Sequence, residues 1–172
     1  MIIKCKGFNL RPYRKGNEES LVRNINNKKI WRTTMRIPYP YTYKHARRWV
    51  AENLREQRKK KPSKINFVID IYGEVAGSIG LANIEGHKAT LGYWLAEQYW
   101  GKGIMTEAVG LIANYGFTHL DIICIQANAF GTNAASMRVL EKAGFVKSGI
   151  LQKATIKDGE ILDEHLHTLH PL

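Results

Sequence analysis

Three consecutive strand-like segments in the middle of the chain restrict its possible folds more than any other feature. Ile65–Ile71, Val75–Ile84 and Ala89–Leu95 are rich in apolar and β-branched residues, which is typical of strands. The links between them are short turns, whereas a parallel crossover needs about a dozen residues or more. The sequence therefore predicts an antiparallel meander at the centre of the fold.

Helical patterns flank the meander on both sides, and further strand-like segments follow it. Apolar periodicity and capping residues predict helices at about residues 16–25, 42–61, 104–115 and 132–143. The same analysis predicts strands at about residues 121–127, 146–154 and 161–169. Together the segments predict a mixed α+β domain with about four helices and a mostly antiparallel sheet of about six or seven strands.

Length and composition predict that residues 1–172 form one globular domain. The chain is 44% hydrophobic and 24% charged, which excludes collagen, a coiled coil and wholesale disorder. It has no apolar run long enough to cross a bilayer, and its N-terminus lacks a secretory signal pattern. We therefore expect a cytoplasmic protein with no membrane attachment, in which Cys5 and Cys124 are reduced, buried thiols.

The charge of the chain favours acidic partners without choosing among them. Lys and Arg number 26 against 15 Asp and Glu, a net charge of +11. Phosphates, nucleic acid, an anionic cofactor or an acidic protein surface would all be attracted. The basic run at residues 55–64 is more typical of a solvated helix end than of a nucleic-acid site. His165, His167 and His170 lack a further ligand at metal-site spacing, so no metal is expected.

A strand, a glycine-containing loop and a helix start follow one another between Leu91 and Ala108. Gly101 and Gly103 let the backbone approach a ligand closely. The first turn of the next helix offers unpaired N–H groups at the positive end of its dipole, which suits a diphosphate. No P-loop run is present, and the dinucleotide fingerprint would need glycine where Thr106 stands.

The same segment resembles the coenzyme A loop of the GNAT superfamily of N-acetyltransferases. The resemblance extends over nearly the whole chain and is greatest to the branch that acetylates the N-termini of ribosomal proteins. The shared features, in chain order, are Leu10-Arg11-Pro12, Pro40-Tyr41-Thr42, Gly92-Tyr93-Trp94-Leu95, residues 100–108, and the segment from Asn133 through Ser136 to Ala143-Gly144-Phe145. Each feature is weak alone, but their order and spacing are specific.

Two alignments of the loop are possible. Gln98-x-x-Gly101-x-Gly103 matches the superfamily motif letter for letter. Aligning Thr106-Glu107-Ala108 with the branch instead puts Trp100 where the branch has Gln and Met105 where it has a small residue. We prefer the second alignment, because it accounts for more of the following helix.

The resemblance implies a particular arrangement of sheet and cosubstrate. The sheet would splay between the Tyr93–Leu95 and Cys124–Ala127 strands, and the pantetheine arm of acetyl-CoA would lie in the gap. The residues implied to bind acetyl-CoA are Tyr93, Trp94, Leu95, Gly101, Lys102, Gly103, Ile104, Met105, Thr106, Asn133 and Ser136. The N–H group of Leu95 would face the thioester oxygen.

The resemblance also implies Ser136 as the catalytic residue. Many members protonate the departing thiolate with a Tyr seven residues after the Asn, but Leu140 occupies that position here. Ser136 is the replacement donor, as in the ribosomal branch. No general base is evident from the sequence; Glu85, Glu97 and a bound water are the candidates.

The implied function is acetyl-CoA-dependent N-acetylation by direct transfer to a primary amine. The related branch suggests a protein N-terminus as the acceptor. A small amine such as an antibiotic or a polyamine is an alternative that keeps the same fold. A non-catalytic CoA-binding or RNA-binding module is an alternative of a different class. The sequence leaves the choice between monomer and homodimer open.

Overall fold

Eight strands form one mixed sheet in the computed structural model, which describes residues 2–172. The strands are β1 Ile3–Lys4, β2 Asn9–Pro12, β3 Ile65–Ile71, β4 Glu74–Glu85, β5 Lys88–Leu95, β6 Cys124–Phe130, β7 Val146–Lys157 and β8 Glu160–Leu169. Their order is β1-β2-β3-β4-β5-β6-β8-β7. Only β5 and β6 are parallel neighbours; the other pairs are antiparallel. The mixed α+β class and the central meander are confirmed.

Within residues 2–172, five helices cover the sheet: α1 Glu18–Ile25, α2 Lys28–Thr33, α3 Tyr43–Glu56, α4 Ile104–His119 and α5 Ala134–Lys142. The predicted numbers of helices and strands were both too low. The additional helix, α2, is only six residues long and is capped by Asn27, whose side chain accepts from the Lys29 N–H group. The additional strands, β1 and β2, lie at one edge of the sheet, where β2 pairs with β3.

The end of helix α3 and the start of strand β6 differ from the predicted positions. Helix α3 ends at Glu56 rather than near Lys61. Four consecutive cations, residues 58–61, follow it, and like charges within one turn destabilise a helix. Strand β6 begins at Cys124 rather than at Asp121. Asp121 has a left-handed backbone with a φ of 53°, which belongs to a turn and not to a strand.

The sheet buries a different core on each of its faces. Helices α4 and α5 pack on one face, the α4/α5 face, through apolar residues such as Val109 and Leu140. Helices α1 to α3 cover the other, the α1–α3 face, where Leu21 and Val50 join Trp94. Because side chains alternate along a strand, Tyr93 faces α4 and α5 whereas its neighbour Trp94 faces α1 to α3.

A buried ion pair anchors the first helix to the sheet. Arg11 on β2 and Asp70 on β3 are 6% and 7% exposed and are hydrogen-bonded to each other. The guanidinium group of Arg11 also donates to the Asn17 side chain at 3.0 Å, directly before α1.

Within residues 2–172, no helix combines the length and apolar character needed to cross a bilayer.

Candidate active site

Strands β5 and β6 separate part-way along their length. They pair only through Lys88 with Cys124, Ala89 with Ile125 and Thr90 with Gln126. Beyond this point β5 is paired with β4 alone, and β6 with β8 alone. The splayed sheet is therefore confirmed, and the parted segments are residues 91–95 and 127–130.

The backbone at the end of β5 presents polar groups to this gap. The N–H group of Ala96 donates to the Ala76 carbonyl of β4 at 2.8 Å. Backbone groups alternate in direction along a strand, so those of Tyr93 and Leu95 point away from β4 and into the gap. The carbonyl of Leu95 accepts from the indole N–H group of Trp100 at 2.7 Å.

The loop before α4 presents a second set of free N–H groups. Gly101 and Gly103 have positive φ values of 72° and 77°, and a Cβ at either would meet no protein atom within 4 Å. Gly103 precedes α4, and no side chain in residues 2–172 caps the first turn. The N–H groups of residues 104–106 therefore lack an intrahelical acceptor. Lys102 lies with its Nζ 5.4 Å from the centre of the Tyr99 ring.

The start of α5 brings a serine against a tyrosine of β5. The hydroxyl groups of Ser136 and Tyr93 are hydrogen-bonded at 2.6 Å. Asn133 is the N-cap of α5, and its side chain accepts from the Ser136 N–H group at 3.1 Å. Burial raises the pKa of Tyr93 to about 12. Leu140, at the position where many GNAT members carry Tyr, is fully buried in the α4/α5 core.

One cavity of about 1180 Å³ contains all of the predicted site residues. Its lining includes the gap in the sheet, the glycine loop and the start of α5, and hence Tyr93, Trp94, Leu95, Gly101, Lys102, Gly103, Ile104, Met105, Thr106, Asn133 and Ser136. Trp100 also lines it, whereas the Gln98 side chain is exposed and reaches Asn24. This arrangement favours the alignment that places Trp100 at the Gln position of the motif.

The cavity also contains two polar residues that sequence reasoning missed. Glu164 of β8 is only 6% exposed, and its carboxylate accepts from the side-chain amide of Asn128 on β6 at 2.9 Å. The only sequence signal for Glu164 was the alternation of side chains along β8. From the sequence, we considered that strand only for metal binding by its histidines. The two candidate bases named from the sequence do not line the cavity: Glu85 ends β4, and Glu97 pairs with Lys29.

The charged side chains that line the cavity are mainly cationic. Its six Lys and Arg side chains are Arg36, Arg48, Lys64, Lys102, Arg138 and Lys142, against two carboxylates, Glu52 and Glu164. Glu52 is paired with both Arg48 and Lys64, each at 3.1 Å. Within residues 2–172, Glu164 has no cation within 4 Å.

The other sequence features with possible functions are explained by local contacts. In the described part of the chain, no three His, Cys, Asp or Glu side chains are placed to hold a metal ion. His167 is fully buried against the sheet, and His170 contacts the Ile123 carbonyl at 3.0 Å. In the basic run, Lys59 pairs with Glu56, and Lys64 lies over the Trp49 ring.

Comparison with known proteins identifies the family. A family model described as an acetyltransferase (GNAT) domain matches residues 8–146. This chain belongs to the GNAT acetyltransferases. It is an N-acetyltransferase, and its acetyl donor is acetyl-CoA. The glycine loop with its free N–H groups, and the opened sheet beside it, fit the diphosphate and the pantetheine arm of that donor.

Among curated proteins, this GNAT acetyltransferase is similar to the probable N-acetyltransferase YjcK of Bacillus subtilis. The two are 33% identical over 172 residues, which cover 95% of this chain and 93% of YjcK. It is also similar to the spermidine N(1)-acetyltransferase of Escherichia coli K12. There the identity is 25% over 153 residues, 88% of this chain and 79% of the relative.

Solved structures with the same fold cover almost the whole chain. The ribosomal-protein-S5-alanine acetyltransferase of Vibrio fischeri superposes with a TM-score of 0.89 at 21% identity, covering 99% of this chain and 96% of the other. The ribosomal L7/L12 alpha-N-protein acetyltransferase RimL, solved with coenzyme A, gives 0.88 at 23% identity, with 99% and 98% covered. The overall architecture is therefore the GNAT fold.

Proposed function

We propose that this N-acetyltransferase transfers the acetyl group directly from acetyl-CoA to the N-terminal α-amino group of a protein. The charge of the cavity is the observation that supports this acceptor best. Six cationic side chains line it, and one of its two carboxylates is already paired with two of them. An acceptor with a single amine meets little repulsion there, whereas a polyamine carries several like charges into a cationic cavity.

The chemistry of an α-amino group also supports this acceptor. Its pKa is about 8, so a substantial fraction is neutral and nucleophilic at neutral pH, whereas a lysine amine has a pKa of about 10.4. RimL, one of the ribosomal-protein acetyltransferases that share the fold, is named an alpha-N-protein acetyltransferase. The free thiols of Cys5 and Cys124 support the expected cytoplasmic location.

The residues of the α4/α5 face would hold and activate the donor. The diphosphate would bind the free N–H groups of residues 104–106 beside Gly101, Gly103 and Lys102, and the pantetheine arm would lie along Tyr93, Trp94 and Leu95 and contact Asn133. Bound there, acetyl-CoA supplies a thioester carbonyl to the cavity. The N–H group of Leu95 is directed into the gap, where it would donate to the carbonyl oxygen.

Ser136 would supply the proton that the departing thiolate needs. Its hydroxyl is hydrogen-bonded to that of Tyr93, and Tyr93 keeps its own proton because burial raises its pKa to about 12. The pair therefore provides a proton donor, Ser136, and a second, neutral hydroxyl that holds it in place by a hydrogen bond. This arrangement compensates for the Leu at position 140.

A second acceptor class, the polyamines, is favoured by the similarity to a spermidine acetyltransferase. A panel of acceptors separates the two classes. Thiol release from acetyl-CoA should be fast with peptides that have a free α-amine and slow with spermidine. The same peptides with a blocked N-terminus and an internal lysine are the matched control. Faster reaction with spermidine, or with the blocked peptides, would overturn the protein N-terminus as acceptor.

A further inference from the structure

One carboxylate in the cavity has no role in the function proposed so far. Glu164 is 6% exposed, yet its side chain lines the cavity, and among residues 2–172 the side chain that donates to it is the neutral amide of Asn128. Burying a carboxylate without a cation is costly unless a partner binds it. A buried, unpaired anion in a cationic cavity indicates that its partner is an external cation.

The position of Glu164 places it opposite the residues that handle the donor. Ala127 faces the α4/α5 core, so the next residue, Asn128, faces the α1–α3 side. Glu164 pairs with Phe130 across the sheet and lies on that same side. Tyr93 and Ser136 lie on the α4/α5 side of the gap. The gap between residues 91–95 and 127–130 separates the two groups.

We propose that Glu164 and Asn128 form the subsite for the acceptor's primary amine, in which Glu164 binds the ammonium form and takes its proton. The inference rests on the proposed function, because it needs an amine acceptor. It does not depend on whether that amine belongs to a protein or to a small molecule. The amine would then enter from the α1–α3 side and meet the acetyl group in the gap.

The ammonium group gives one proton to a carboxylate oxygen of Glu164 and becomes a neutral amine. The amine nitrogen forms a bond to the acetyl carbon, the carbon–sulfur bond breaks, and its electron pair leaves with sulfur. The sulfur takes the hydroxyl proton of Ser136, and the surplus proton that the nitrogen loses restores the Ser136 hydroxyl. The products are the amide, the free thiol of coenzyme A and one proton released to water from Glu164.

The other charged groups around the subsite leave this role to Glu164. At its register positions the adjoining strands present Phe130 and Leu151, which are apolar. The titratable and charged side chains that line the cavity on this side are Arg36 and Tyr41 of the α2–α3 loop, His45, Arg48 and Glu52 of α3, and Lys64 just before β3. Arg48, Glu52 and Lys64 already neutralise one another in part, and Arg36 is cationic. The Nδ1 atom of His45 accepts from the Thr42 N–H group at 3.0 Å, and burial raises the pKa of the Tyr41 hydroxyl.

The test compares Glu164→Gln with Glu160→Gln, a matched change at an exposed glutamate of the same strand. With the best acceptor from the panel, E164Q should lower kcat/KM for the amine at least tenfold at neutral pH. Its Kd for acetyl-CoA and its thermal midpoint should stay close to those of the wild type. E160Q should behave as the wild type in all three measurements.

The pH profile distinguishes an amine-binding base from a merely structural residue. Above the pKa of the acceptor, about 8 for an α-amine, the amine is already neutral and the defect of E164Q should shrink. A defect of constant size at every pH, or wild-type kcat/KM in E164Q, would overturn the inference. If spermidine is the better acceptor, the N-terminal assignment fails, and the same comparison made with spermidine still decides the role of Glu164.

Discussion

The indole N–H group of Trp100 donates to the main-chain carbonyl of Leu95 at 2.7 Å, which ties the glycine loop to the end of β5. Trp100 stands where the related branch has Gln, a residue that also carries an N–H donor. In this chain the indole supplies a donor at that position. The bond fixes Leu95, the last residue of β5, relative to the loop that precedes α4.

Removing this hydrogen bond should weaken acetyl-CoA binding. Trp100→Phe keeps an aromatic ring but loses the donor, and a hydrogen bond of this kind contributes about 0.5–1.5 kcal/mol. We expect the Kd for acetyl-CoA, measured by calorimetry, to rise by up to about tenfold. Trp100→Gln keeps a donor and should bind more tightly than Trp100→Phe. Equal affinity of the two variants would contradict the assigned role of the N–H group.

A side chain at Gly103 should block the site for the diphosphate. Gly103→Glu places bulk and a negative charge beside the first turn of α4, so the Kd for acetyl-CoA should rise at least tenfold. Gly73→Glu is the matched control, since Gly73 also has a positive φ and open space around its Cβ but lies in the β3–β4 turn. Unchanged binding in the Gly103 variant would count against the loop as the diphosphate site.

Loss of either hydroxyl of the Tyr93–Ser136 pair should slow turnover more than it weakens binding. Ser136→Ala removes the group proposed to protonate sulfur, and Tyr93→Phe removes its hydrogen-bond partner. Because the two act through one hydrogen bond, their effects on kcat should be less than additive in the double variant. Steady-state kinetics on the wild type, the two single variants and the double variant measure the coupling between the two hydroxyls. Fully additive effects would mean that the two hydroxyls act independently.

The raised pKa of Tyr93 leads to a prediction about alkaline pH. A tyrosine with the ordinary pKa of 10.0 would lose its proton as the pH approaches that value, but burial raises the pKa of Tyr93 to about 12. A raised pKa means that the neutral donor persists, so the kcat ratio of wild type to Tyr93→Phe should stay constant from about pH 7 to about pH 10. A ratio that falls toward one near the upper limit would show that Tyr93 ionises there.

Local patterns were sufficient to predict the parts of the site that depend on neighbours in sequence. The loop between β5 and α4 was predictable because a strand, a short glycine-containing segment and a helix start follow one another in the sequence. The meander was predictable because its turns are short. Short or edge elements such as α2 and β1 were missed, since tertiary contacts and not their own periodicity stabilise them.

Contacts between distant segments could not be predicted in this way. Tyr93 and Ser136 are 43 positions apart, and Asn128 and Glu164 are 36 apart. Their meeting depends on the parting of β5 from β6 and on the pairing of β6 with β8. In the sequence of β8, the histidines on either side of Leu166 suggested a test for metal binding. In the structure, the residue of β8 that lines the cavity is Glu164.

The buried ion pair between Arg11 and Asp70 should dominate the response of stability to mutation. Asp70→Ala would leave the guanidinium group buried and without its counter-charge, and it would also remove the acceptor of the Gly73 N–H group. Breaking a buried pair in this way costs about 3–5 kcal/mol, so the free energy of unfolding in denaturant should fall by that amount. Glu74→Gln breaks the pair with Arg23, in which both side chains are about half exposed, and should cost at most about 1 kcal/mol. Similar losses in the two variants would mean that the buried pair contributes no more than a surface one.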